Sequence, residues 1–125
     1  MALKPLTPDQ KIERLKKALS ASGGYDTWED VRDGLMEKKY QIFDSDDGAI
    51  ITEIIKRPKG NFLNVWLAGG RLPGIMKTVP KMEKMARADG CKQMVAFGRL
   101  GWDRVLPKFG WKKIGVVYAK DVTNA

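Results

Sequence analysis

The chain has 125 residues, enough for one ordinary domain, with 43% hydrophobic and 30% charged residues, the balance of a chain that buries a core. It has no histidine and one cysteine, which removes the commonest general base, Ser-His and Cys-His nucleophile pairs, any intramolecular disulfide and the usual zinc ligands, so no metal site is expected. The net charge of +8 is uneven: residues 1–55 carry 8 basic and 11 acidic side chains, net −3, whereas residues 56–125 carry 15 and 4, net +11.

Residues 1–6 read as a flexible lead-in. Thr7 then caps a helix with Pro8 at its first position and Gln10 completing a capping box, and Ile12, Leu15 and Leu19 form its apolar stripe until Ser22-Gly23-Gly24. Thr27, with Asp30 three residues on, starts a second helix that buries Trp28, Val31 and Leu35. From Lys39 the period changes to two. Tyr40 to Phe43, Ala49 to Ile55 and Phe62 to Ala68 read as three strands separated by the turns Asp44-Ser-Asp-Asp-Gly48 and Arg57-Pro-Lys-Gly-Asn61, an antiparallel meander. The almost unbroken apolar run from Ala49 to Ile55 predicts a strand covered on both faces.

Gly69-Gly-Arg-Leu-Pro-Gly74 follows, then a helix over about Ile75 to Asp89 that buries Ile75, Val79, Met82 and Ala86. Pro80 requires either that the regular helix start near Thr78 or that it bend there. Gly90 suits the left-handed position after the helix. Lys92 to Phe97 reads as a strand, Gly101 to Phe109 as a short helix and Ile114 to Lys120 as a closing strand. Strand, Gly-rich loop, helix, strand is a βαβ unit, so the sheet is expected to be mixed.

This order resembles the GNAT superfamily of N-acetyltransferases. The local match lies in Met85-Ala-Arg-Ala-Asp-Gly-Cys-Lys-Gln-Met-Val-Ala-Phe97 and in Leu106-Pro-Lys-Phe-Gly-Trp-Lys-Lys-Ile-Gly115. Val65-Trp-Leu-Ala-Gly-Gly70 and Gly101-Trp-Asp-Arg-Val-Leu-Pro107 are similar to segments of small GNAT-like proteins of tailed phages and prophages, which commonly lie among virion genes. The fold expected is α/β: a single GNAT-like domain over residues 7–125, with a mixed central β-sheet made of an antiparallel meander plus a βαβ unit and helices on both faces.

The family holds the pyrophosphate of acetyl-CoA on a Gly-rich loop, which makes Gly69, Gly70, Arg71 and Gly74 the candidate cofactor-binding residues. The glycine spacing departs from the family's, Pro73 lacks an N–H, and the stretch also reads as a tight turn. The tyrosine that often protonates the thiolate corresponds to Leu106, and a helix-starting asparagine to Arg99. Tyr118 is the remaining candidate proton donor, with packing as its plainer role. Glu53, between apolar neighbours, is the candidate base, or else a strand residue facing solvent or a lysine across the sheet; Asn64 on the next strand offers an acceptor. Cys91 reads as structural.

Lys77, Lys81, Lys84 and Arg87, spaced for one helix face, together with Arg99 and Arg104 and then Lys108, Lys112 and Lys113, form a candidate anion-contacting set near Trp102 and Trp111. Two functions follow: a catalytically degenerate phage or prophage protein that meets virion proteins or nucleic acid through its basic half, or an N-acyltransferase using acetyl-CoA. The sequence has no apolar leader and no apolar run of about eighteen residues, so a bacterial host cytoplasm, with incorporation into a virion, is the location expected, without membrane contact.

Overall fold

The computed structural model describes residues 4–97 and 100–123, which fall into two compact units, Met1–Val95 and Ala96–Ala125. The first unit contains α1 (Pro8–Ser20), α2 (Trp28–Met36), β1 (Tyr40–Ser45), β2 (Gly48–Arg57), β3 (Gly60–Gly70), α3 (Leu72–Met76), α4 (Val79–Ala88) and all but the last residue of β4 (Cys91–Ala96).

Both expected helix starts are present. Thr7 Oγ1 accepts from the Gln10 N–H at 3.1 Å while Gln10 Oε1 accepts from the Thr7 N–H at 2.8 Å, and Thr27 and Asp30 repeat the exchange at 3.1 and 2.8 Å. Each exchange satisfies two amide donors that a helix start would otherwise leave open.

The sheet has the order β1-β2-β3-β4. β1 with β2 and β2 with β3 are antiparallel, and the helical crossover through α3 and α4 brings β4 beside β3, giving a mixed sheet. Helices cover both faces, and two glycines show how closely. A Cβ on Gly69 would lie 2.8 Å from the Leu15 nitrogen of α1, and one on Gly48 would lie 2.8 Å from the Ile75 nitrogen of α3. Gly69 pairs with Ala49, the neighbour of Gly48 on β2, so the two glycines point to opposite faces. Leu15, Leu19, Val31, Tyr40, Ala49, Ile51 and Leu67 build the core under α1 and α2. Ile50, Thr52, Leu63, Ile75, Met82 and Ala86 are also buried, so β2 from Gly48 to Thr52 is covered on both sides, as its apolar run predicts.

A β-bulge interrupts the ladder. Ile51 pairs with Leu67 and Thr52 with Val65, leaving Trp66 as the extra residue. A bulge bends its strand and shifts the alternation by one.

Several expectations are corrected. The lead-in is tied down from Lys4 onward: Leu6 is buried and its N–H donates to the Asp46 carbonyl at 2.9 Å. Of the two alternatives for Ile75 to Asp89, the helix that starts near Thr78 is the one present, as α4, and Ile75 belongs to the separate short α3. Thr78, buried at the break, donates its hydroxyl to the Ile75 carbonyl at 2.6 Å, and Pro80 falls in the first turn of α4, where it costs no hydrogen bond.

In the second unit, the expected helix over Gly101 to Phe109 is two short 3-10 turns, Leu100–Arg104 and Leu106–Phe109, closed by Gly110 at φ +88°. The expected strand Ile114 to Lys120 carries no ladder, and Ile114, Val116, Val117 and Tyr118 are exposed. β-branched residues favour a strand only where a partner supplies the hydrogen bonds.

Candidate functional site

The candidate base lies in a lateral row across the meander. Tyr40 of β1 pairs with Glu53 of β2, which pairs with Asn64 of β3, so the three share the sheet face under α1 and α2. Tyr40 is buried against Trp66, with ring centroids 5.0 Å apart, and Glu53 is half-buried. Lys39 Nζ lies 5.2 Å from the centroid of the Tyr40 ring. Its interaction with the Tyr40 side chain, and then the Glu53 carboxylate, push the Lys39 ammonium above the ordinary lysine range. Asn64 Oδ1 is buried and, among the described residues, has no hydrogen-bond partner, which is costly for an amide oxygen.

The Gly-rich loop is shorter than its sequence suggests, because Gly69 and Gly70 still belong to β3 and pair with Ala49 and Gly48. Arg71 caps α3, and its groups are engaged by the turn between β1 and β2. Its N–H donates to the Asp47 carbonyl at 2.8 Å, and its guanidinium donates to Asp47 Oδ1 at 2.9 Å and to the Lys4 carbonyl at 2.9 Å. The Ser45 hydroxyl donates to the Gly74 carbonyl at 2.6 Å. Pro73 has no N–H and the Ile75 N–H is given to the Arg71 carbonyl at 3.0 Å, so over 71–75 only Leu72 and Gly74 keep an N–H without a backbone acceptor among the described residues, and Gly74 is buried. Ser45 and Asp47 carry no sign of this role in the sequence. They lie more than twenty residues before the loop and read only as turn formers.

The four basic residues expected on one helix face are divided between α3 and α4. Lys81, Lys84 and Arg87 are exposed on α4, while Lys77 caps the end of α3 and is not on the same helix. Arg87 pairs with Glu83 at 3.4 Å. In the second unit, Arg104, Lys108 and Lys112 are exposed, and Lys113 pairs with Asp103 at 3.3 Å. Arg99 lies outside the described residues. Tyr118 is 90% exposed, so its expected packing role is not observed. Leu106, Trp102 and Trp111 are half-buried. Burial first, then the Asp89 charge, push the Cys91 thiol up, away from the reactive thiolate and in keeping with a structural cysteine. Among the described residues there is no cluster able to hold a metal, and no helix is long and apolar enough to cross a membrane.

No family model matches the sequence, and no curated protein does. Solved structures do. Glucosamine-6-phosphate N-acetyltransferase from Arabidopsis thaliana is similar over 95% of this chain and 96% of its own, with 13% identity and a TM-score of 0.62. An acetyltransferase from Trypanosoma brucei is similar over 97% and 99%, with 11% identity and a TM-score of 0.63. An aminoglycoside acetyltransferase from an uncultured soil metagenomic sample, solved with sisomicin, is similar over 90% and 87%, with 11% identity and a TM-score of 0.63. At such identities the likeness is one of architecture, and it matches the mixed sheet and its crossover: the chain has the fold of the GNAT acetyltransferases.

Proposed function

We propose that this chain is a catalytically degenerate protein of the acetyltransferase fold, encoded by a tailed phage or prophage, that works as an interaction module by presenting its basic side chains to a polyanion, nucleic acid foremost. The observation that carries the reading is the state of the loop. The pyrophosphate of CoA needs several free N–H groups and an available cation, and here the charge of Arg71 is offset by Asp47, its Nη1 is held by Asp47 and Lys4, and Pro73 interrupts the amides. The residues present do not fit that group. Leu106 in place of the usual tyrosine and an exposed Tyr118 agree with the loss. The phage assignment is supported by the segments Val65 to Gly70 and Gly101 to Pro107, and virion association by the same resemblance.

A second reading, an active N-acyltransferase, is favoured by one observation: the unpartnered Asn64 Oδ1 beside Glu53 would suit the N–H of an amine. Thermal melting with acetyl-CoA separates the two, because a ligand at a hundred times its Kd stabilises the native state by about 2.7 kcal/mol. The melting temperature is expected to stay unchanged at about 1 mM acetyl-CoA, and a rise of several degrees would refute degeneracy.

A further inference from the structure

The loop keeps one cation of the kind that grips phosphate, and a carboxylate of its own chain reaches it first. Arg71 and Asp47 meet at 2.9 Å with side chains only 29% and 25% exposed, so the pair is partly withdrawn from water. Both hydrogens of the one terminal nitrogen Nη1 are used, one by Asp47 Oδ1 and one by the Lys4 carbonyl. The Asp47 carbonyl takes the Arg71 N–H. Gly74 lies so close that a Cβ there would come within 2.5 Å of Asp47 Cβ. A carboxylate and a phosphate compete for the same guanidinium donors, because both present paired oxygens with negative charge.

We propose that Asp47 is a built-in counter-anion: its carboxylate holds Arg71 Nη1 and repels incoming negative charge, so excluding phosphate-bearing ligands from the loop, and removing that one charge frees Arg71 to donate to them. This rests on the reading of the loop as degenerate and names the side chain responsible.

The test is Asp47→Asn, which keeps the size of the side chain and the backbone carbonyl. Pyrophosphate binding is measured by calorimetry at fixed ionic strength for the wild-type chain, for Asp47→Asn and for Asp47→Asn with Arg71→Gln. At the separation of an ion pair the lost repulsion is expected to tighten binding by at least about tenfold over wild type, and Arg71→Gln is expected to abolish the gain. An Asp47→Asn protein no tighter than wild type overturns the proposal, and so does a gain that survives Arg71→Gln. Should Asp47→Asn not fold, the wild-type chain decides. Its Arg71 Nε–H resonance is expected to stay in place in millimolar pyrophosphate, and a titrating shift would overturn the proposal. Failure of the degenerate reading looks different, as acetyl-CoA affinity in the wild-type chain with the Arg71 resonance unmoved.

Discussion

Gly34 shows how one residue can be set by a neighbour that local sequence does not reveal. It lies inside α2, where alanine would be favoured by about 1 kcal/mol on helix propensity alone. Yet Gly34 is buried, and a Cβ there would run into the Tyr40 ring. That ring is held in turn by Trp66 at 5.0 Å. Overpacking a filled core costs about 1–3 kcal/mol, so Gly34→Ala is expected to lower stability by roughly 1–2 kcal/mol in urea unfolding. A variant as stable as wild type would mean that the ring moves aside freely. The candidate site has the same history. Glu53 and Asn64 were legible as polar residues in apolar strands, but their shared row with Tyr40 depends on register. The capture of Arg71 by Asp47 depends on a tertiary contact between two turns.

At the scale of the element, local chemistry was the most legible part of the sequence. Both capping boxes, the stripes of α1, α2 and α4 and the three meander strands stand where spacing puts them, because each is decided within a few residues. The start of α2 also gives a pH test. The Thr27 N–H and hydroxyl hold the Asp30 carboxyl below its ordinary value of 3.8. A group with a depressed folded pKa contributes stability above its unfolded pKa and loses it as pH falls through the folded value. Asp30→Asn is therefore expected to flatten part of the acid limb of stability below about pH 4. Equal acid dependence in the two proteins, followed by circular dichroism from pH 7 downward, would show the cap to be idle. What the sequence did not reveal at this scale needed a partner or a count. Ile114 to Lys120 has strand composition without a strand beside it, and β3 has one residue more than its ladder.

For the whole molecule, the division of charge carries the functional expectation. The net +11 of residues 56–125 is presented by exposed Lys81, Lys84 and Arg87 of the first unit and by exposed Arg104, Lys108 and Lys112 of the second. The affinity for duplex DNA is expected to fall with salt at a log–log slope of about −0.9 per phosphate neutralised. Replacing Lys81, Lys84 and Arg87 together by alanine is expected to make that slope shallower by about 2 to 3. Arg87 contributes least, since Glu83 already holds it. A slope unchanged by the triple substitution would remove α4 from the binding surface, and affinity indifferent to salt would remove the electrostatic basis altogether.

The bulge at Trp66 has a consequence for how the third strand tolerates insertions and deletions. On either side of it the pairings are regular: Leu67 with Ile51 on one side, Val65 with Thr52 on the other. Loss of a residue elsewhere in β3 turns every side chain beyond that point to the wrong face. Loss of residue 66 alone leaves both stretches in phase and closes the ladder, at the cost of the aromatic contact with Tyr40. The strand is, for heritable changes of length, two short strands joined by one removable link.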